Sequence, residues 1–337
     1  MRLIDVRYGF DLRCAAMTDT NSIPYIAADQ VRVALPYPAL IDALRRAFAS
    51  ADQVQVPRRH AHDLGHDATL LLMPAWREQK KLGVKLVTVA PDNRQHGLPT
   101  VHALYVLSET ASGVPLAMID GEVLTLRRTA AVSALASSFL SRASSSSLLM
   151  VGTGRLAPEM AIAHCTARPI TRVVVWGRSQ SKAEETVRRV RDAGLPDHVS
   201  IQTEAMLAAA CTGADIICCA TTSTVALLRG EWIKPGTHID LVGGFRPHMR
   251  EADDALMASA ALFVDTREGA LAEAGDLLQP MQAGLLSASD IRADLAGLAS
   301  ASNPGRSSDE EITLFKSVGN GLADLAAAEL AYQLSVR

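Results

Sequence analysis

The chain has 337 residues, 48% hydrophobic, 20% charged and only 4% aromatic, with 33 basic residues against 36 acidic ones for a net charge of −3. At about 150 residues per domain this length predicts two domains, and the apolar content excludes a disordered chain. The near-balanced charge and scarce aromatic rings argue against nucleic-acid binding, which relies on strongly basic faces or on base stacking. Five cysteines (Cys14, Cys165, Cys211, Cys218 and Cys219) form no C-x-x-C pair, which predicts a reducing compartment rather than a disulfide framework. The N-terminal segment is broken by charges and holds no secretory apolar run. No stretch approaches the roughly 20 apolar residues that cross a bilayer. The expectation is a cytoplasmic protein with no membrane contact.

In chain order, Pro38 opens a predicted helix with Leu40, Ile41, Leu44 and Phe48 on one stripe. Short apolar runs at 70–73, 84–89 and 101–107 are bounded by Gly and Pro and read as strands. A helix is expected over 124–140, followed by a serine-rich stretch suited to a domain boundary. From residue 148 the rhythm becomes β-α-β, with continuous apolar strands at 148–151, 173–176, 215–219, 239–242 and 262–264. Unbroken apolar strands separated by helical patterns predict a parallel sheet covered on both faces. A second boundary is expected within 300–309, and a last helix over 322–334 is free to return to the first domain. The fold class is therefore α/β: a Rossmann dinucleotide-binding domain over 144–310 and an α+β domain made of 1–143 with 311–337.

Directly after the 148–151 strand stands Gly152-Thr153-Gly154-Arg155-Leu156-Ala157, a G-x-G-x-x-A turn in strand–helix context. Gly152 permits the turn, Gly154 lets backbone approach a pyrophosphate, and Ala157 keeps helix and strand close. The tip of the next strand reads Trp176-Gly177-Arg178-Ser179, with Lys182 nearby and no acid. An acid there binds a ribose 2′-hydroxyl and an arginine meets a 2′-phosphate, so NADPH is expected over NADH. Ala220, Thr221 and Thr222 follow the 215–219 strand toward the same cofactor.

Three basic positions draw notice. Lys85 shares a strand face with Val87 and Val89, as an edge-strand gatekeeper or as an anion binder. Arg128 shares a helical face with Val132, Leu135 and Phe139 while Arg127 points away, so Arg128 needs an anionic partner, either a structural carboxylate or a substrate's. Periodicity does not decide between Arg58 and Arg59. His60, His62 and His66 lack the companions of a zinc site, and no metal is expected. Cys218 and Cys219 read as buried and inert. Neither a serine nucleophile elbow nor a Walker loop is present.

Several ordered segments together resemble the ornithine cyclodeaminase/mu-crystallin family across nearly the whole chain. They are Met73-Pro74-Ala75, Lys85-Leu86-Val87-Thr88, Gly97-Leu98-Pro99-Thr100, Asp120-Gly121, Arg128-Thr129-Ala130-Ala131, the glycine turn, Gly230-Glu231-Trp232-Ile233-Lys234-Pro235-Gly236 and Phe315-Lys316-Ser317-Val318-Gly319. The resemblance implies a substrate and dimerisation domain ahead of a Rossmann domain, with the C-terminal segment packed back on the first. It implies that Arg59, Lys85 and Arg128 hold a substrate carboxylate, with Lys85 and Arg128 catalytic. It adds Thr100 to the substrate site and puts Thr129, Val242, Gly243 and Ser317 near the nicotinamide.

The cyclodeaminase members carry an Asp after the V-G-[GA] turn. This chain has Val242-Gly243-Gly244-Phe245-Arg246-Pro247, and phenylalanine can neither accept a proton nor steady a cationic amine. The turn looks instead like that of members that reduce cyclic ketimines such as Δ1-pyrroline-2-carboxylate and Δ1-piperideine-2-carboxylate. The expected reaction is hydride transfer from NADPH, with NADH as the alternative, to a cyclic imino acid. Lys85, Asp265 and His102 are the candidate proton donors. The alternatives are ornithine cyclodeamination, an alanine dehydrogenase-like amino-acid enzyme, and a binding protein that keeps NADPH with little turnover. A homodimer is implied by the resemblance alone.

Overall fold

The computed structural model describes residues 22–335; Cys14 and the N-terminal segment lie outside the described residues. Six strands form the first sheet: β1 (Tyr25–Ile26), β2 (His60–Gly65), β3 (Ala68–Trp76), β4 (Lys81–Val89), β5 (Val101–Glu109) and β6 (Pro115–Asp120). Their order is β1-β6-β5-β4-β3-β2, antiparallel except for β1 beside β6. Alternation sets one face inward, and Met73, Lys85, Tyr105 and Ile119 stand in register across it, all buried. Strand β4 has a neighbour on each side. Lys85 is therefore not at an edge, and the gatekeeper reading falls.

Helices α1 (Ala28–Ala34), α2 (Tyr37–Ala49) and α3 (Gly121–Leu140) and the C-terminal helix Gly321–Ser335 pack together behind this sheet. In α2, Leu40, Leu44 and Phe48 are buried at four-residue spacing, with Pro38 in the first turn. Helix α3 starts where the Asp120 carboxylate accepts the Val123 amide at 2.7 Å. Its alanines let α4 (Leu156–Ala167) lie close alongside.

Eight strands, all parallel, form the second sheet: β7 (Ser147–Val151), β8 (Arg172–Trp176), β9 (Ser200–Thr203), β10 (Ile216–Cys219), β11 (His238–Leu241), β12 (Ala261–Val264), β13 (Ile291–Asp294) and β14 (Thr313–Lys316). Their order is β13-β12-β14-β11-β10-β7-β8-β9. Both faces are covered, which is why these strands lack polar alternation. Leu148 and Met150 of β7 join a core continuous with α3 and the first sheet, while Leu149 and Val151 join a second core on the far face. The five strands expected from 148 onward correspond to β7, β8, β10, β11 and β12. The other three have four residues each and lack a long apolar run. Strand β14 sits between β11 and β12, so the expected junction at 311 precedes the last strand of this sheet. Only the C-terminal helix returns to the first. No helix among the described residues is long and apolar enough to cross a membrane.

Glu159 of α4 joins the two halves. Its carboxylate accepts from Tyr37 Oη at 2.6 Å and Arg127 Nη1 at 3.1 Å, and it pairs with Arg32. Burial works to raise this carboxyl, but the Tyr37 hydroxyl and the two guanidinium groups outweigh it and hold the pKa below the usual glutamate value. Glu159→Gln leaves two cations short of their partner and should destabilise the fold by about 3 kcal/mol. The loss should appear as a lower denaturation midpoint at neutral pH. Because the folded pKa is depressed, the difference from wild type should shrink as pH falls below the usual glutamate range, where the unmodified carboxyl is protonated too.

Candidate active site

Strand order reverses at β7, with β8 on one side and β10 on the other, the switch point at which open α/β sheets bind ligands. The loop after β7 carries the glycine turn. Gly152 has φ +126°, and a Cβ there would stand 2.5 Å from the Ala220 carbonyl oxygen, so only glycine brings the two loops this close. A Cβ on Gly177 would meet Thr153 Cγ2 at 2.5 Å. Ala157 is buried under the first turn of α4.

A cavity of about 460 Å³ lies between Gly152–Gly154, the Trp176–Arg178 tip and the 220–222 loop. Lys182 of helix α5 (Gln180–Asp192) also lines it. Ser179 is the N-cap of α5, its Oγ accepting the Lys182 amide at 3.4 Å, and does not line the cavity. Arg189, missed by the sequence reading, reaches from α5 to the Thr153 and Gly154 carbonyl oxygens at 3.4 and 3.2 Å. A glycine cradle, free amides at the start of α4 and three cations around one cavity fit a phosphorylated dinucleotide.

A second cavity, of about 340 Å³, opens against the first and shares Ala220, Thr221 and Thr222 with it. Arg59, Lys85 and Arg128 all line it, although they come from the segment before β2, from β4 and from α3. Leu71, Met73, Val87, Val89 and Phe245 make an apolar wall. Thr129, Leu156, Val242, Gly243 and Ser317 line it as well.

Asp324 of the C-terminal helix lies beneath these cations. Lys85 Nζ is 2.8 Å from both of its carboxylate oxygens, and Arg128 Nε donates to Oδ1 at 2.8 Å. Lys85, Arg128 and Asp324 are all buried. Arg59 Nη2 donates to the Val318 and Gly319 carbonyls at 3.0 Å and pairs with Glu273 at 2.9 Å. Three cations thus face two carboxylates, and the pocket keeps one uncompensated positive charge. Among the described residues, Arg128 donates only through Nε. Its two terminal nitrogens lie against Gly319, where a Cβ would approach them to 2.9 and 3.0 Å.

Burial, the largest influence, pushes the Lys85 ammonium down to about 8 against the pull of Asp324, and Arg128 and Arg59 lower it further. Asp324 is pushed up by burial, but Arg128 and Lys85 hold it below the usual carboxylate range. The pocket therefore stores an ammonium whose pKa is lowered to about 8 beside a carboxylate.

Three further candidates lie away from both cavities. Thr100 lies before β5 and lines neither cavity. Asp265 is fully buried and spends its carboxylate on Ser317 Oγ and the Thr266, Val318 and Gly319 amides. It shapes the turn that Arg59 grips and faces no ligand. His102 pairs with Thr88 across β5 and β4, on the sheet face opposite Lys85, and is exposed. The Arg127 reading holds: that side chain goes to Glu159 and stacks 3.9 Å over Tyr37. His60 and His62 lie exposed on edge strand β2. Cys218 and Cys219 are fully buried, and burial drives both thiol pKa values up.

A parallel dinucleotide-type sheet whose cleft abuts a separate cationic pocket defines the class. Residues 26–336 match the profile of the Ornithine cyclodeaminase/mu-crystallin family, and the chain belongs to that family. It is 38% identical over 310 residues to the Delta(1)-pyrroline-2-carboxylate reductase of Colwellia psychrerythraea, covering 90% of this chain and 96% of that one. The Thermococcus litoralis Delta(1)-pyrroline-2-carboxylate reductase, solved with NADH and L-proline, superposes with a TM-score of 0.88 at 31% identity, over 93% of this chain and 98% of that one. An archaeal alanine dehydrogenase dimer with bound NAD gives a TM-score of 0.85 at 27% identity, over 93% and 96%.

Proposed function

We propose that the chain is a ketimine reductase that converts Δ1-pyrroline-2-carboxylate to L-proline and Δ1-piperideine-2-carboxylate to L-pipecolate, with NADPH as the preferred reductant. The observation that carries this reading is the shared wall of the two cavities: the 220–222 loop borders both the glycine cradle and the cationic pocket. A ligand in one cavity then lies beside a ligand in the other. The reductases named above, which cover nearly all of this chain, support the same reading.

When bound, the reduced nicotinamide supplies the hydride. The terminal nitrogens of Arg128, with Arg59, take the substrate carboxylate, which balances the excess positive charge of the pocket. The apolar wall receives the ring methylenes and excludes water. Held this way, one face of the C=N bond is presented to the 220–222 loop. Lys85 donates the proton to the ring nitrogen, a role that its pKa near 8 allows. Phe245 stands in the apolar wall where a cyclodeaminase requires an acid.

The test is a substrate screen with purified protein, following loss of nicotinamide absorbance. Either ketimine should drive NADPH oxidation. Ammonia-dependent turnover of pyruvate, or proline formation from ornithine without net use of cofactor, would replace the assignment. Arg178 is exposed at the β8 tip and lines the dinucleotide cavity with Lys182, which supports 2′-phosphate recognition. Arg178→Ala should therefore raise KM for NADPH about 10- to 100-fold while changing KM for NADH little.

The chain acts as a homodimer in the cytoplasm under this reading. The outward face of the first sheet carries Leu72, Leu86 and Leu104 in one row and Pro74, Val84 and Val106 in the next, none of them buried. Such a face calls for a cover, and sedimentation equilibrium should give twice the chain mass. The four described cysteines are free, in keeping with a reducing compartment.

A further inference from the structure

A second group of buried charges lies under the wall that separates the two cavities. Glu251, Asp276 and Lys316 are each fully buried, and none of the three lines either cavity. The Glu251 carboxylate accepts from the Thr221 amide at 2.7 Å and Thr221 Oγ1 at 2.8 Å, both on the loop after β10. Its other oxygen accepts from the Gly243 amide at 2.8 Å and the Gly244 amide at 3.3 Å, on the turn after β11. Its backbone carbonyl accepts from Leu227 and Leu228 at 2.9 Å, closing the far end of the first of these loops.

This carboxylate is itself anchored. Asp276 Oδ1 accepts the Glu251 and Ala252 amides at 2.7 and 3.1 Å. Asp276 Oδ2 lies 3.0 Å from Lys316 Nζ at the end of β14, next to Ser317 of the substrate cavity. The ends of three adjacent strands, β10, β11 and β14, are thereby tied together. The fit is tight: a Cβ on Gly243 would lie 2.0 Å from the Thr221 carbonyl oxygen and 2.4 Å from Glu251 Oε1. A Cβ on Gly244 would lie 2.7 Å from Asp276 Oδ2. Buried charged side chains are costly unless compensated, and here the hydrogen bonds of the Glu251 carboxylate converge on the loops that face both ligands.

We propose that Glu251 is a positioning residue for hydride transfer: its carboxylate, anchored by Asp276 and Lys316, fixes the Thr221 and Gly243 loops and so sets the gap between dinucleotide and imine. The inference rests on the ketimine-reductase reading and assigns Glu251 no contact with substrate. Displacing reacting centres by about 1 Å can cost about 100-fold in rate, and two loops freed from a common acceptor are the means of such a displacement.

The test is Glu251→Gln in the full chain, which keeps the side-chain shape but turns an amide NH2 toward backbone donors. NADPH affinity is read by fluorescence titration, and kcat and KM by ketimine turnover. The deuterium isotope effect is read with NADPH labelled at either face of C4. We expect about 5- to 10-fold weaker NADPH binding, kcat lower by about 10- to 100-fold, and ketimine KM within about twofold, with the isotope effect rising as hydride transfer becomes limiting. A folded variant with unchanged isotope effect and NADPH affinity overturns the proposal, as does a loss of activity matched by loss of NADPH-binding sites alone.

If Glu251→Gln does not fold, Asp276→Asn serves. It keeps an oxygen for the Glu251 and Ala252 amides but loses the charge facing Lys316. A smaller drop in kcat with the same rise in isotope effect is expected, and no rise overturns the proposal. A wild-type chain that binds NADPH but reduces neither ketimine overturns the function instead. The positioning role is then decided by the NADPH titration, where Glu251→Gln must still weaken binding about fivefold.

Discussion

Arg128→Ala should lower kcat/KM for either ketimine by about 100- to 1,000-fold, the equivalent of about 3–4 kcal/mol for a buried charge-assisted pair. The geometry makes this residue decisive. Nε is spent on Asp324, which fixes the guanidinium plane, so the terminal nitrogens are already oriented when the carboxylate arrives. Arg59 already has a carboxylate partner of its own, Glu273, and its Nη2 also meets two carbonyls, so its replacement should cost less. Arg128→Lys should recover only part of the loss, since an ammonium cannot hold Asp324 and a carboxylate in the same forked geometry. NADPH affinity should stay unchanged, because Arg128 lies outside the dinucleotide cavity. Retention of most of the activity in Arg128→Ala would mean that the carboxylate is held elsewhere.

Asp324→Asn should have the largest effect on stability, about 3–5 kcal/mol, since it leaves Lys85 and Arg128 buried without their shared counter-ion. It should also move the pH profile. Lys85 is cationic below about 8, so a step that needs its proton weakens as pH rises through that value. Asp324 is the group that pulls this pKa upward. Without that charge, burial and the two arginines act unopposed, and the alkaline limb of kcat/KM should shift to lower pH. A pH profile identical to wild type in a folded variant would remove Lys85 as the proton donor.

What the sequence disclosed depended on whether the signal was local. The glycine turn is six contiguous residues between a strand and a helix. Lys85 among valines and Arg128 on an apolar helical face are each anomalous within their own element, and the structure brings both to one cavity. Asp324 is equally anomalous, an acid between Leu322-Ala323 and Leu325-Ala326, and that signal was available. Its partners lie 239 and 196 residues away, beyond any periodicity argument. Glu251, Asp276 and Lys316 lie in short elements or loops whose burial depends on strand order. Lys316 in particular stayed hidden because β14, Thr313-Leu314-Phe315-Lys316, holds only two apolar residues between polar ends and carries too little pattern to be read as a strand. Asp265 shows the converse error: a carboxylate near the right segment looked like chemistry, whereas its bonds belong to a backbone turn.

The placement of β14 bears on how the molecule is made. Strand β14, which follows both of its partners in the chain, fills the slot between β11 and β12. A growing chain therefore has a gap in its main sheet until Thr313–Lys316 has been made. Exposed strand edges in such an intermediate invite mispairing. Shortened versions ending before Thr313 are thus poor candidates for an isolated nucleotide-binding half, and any dissection of the protein has to carry its tail.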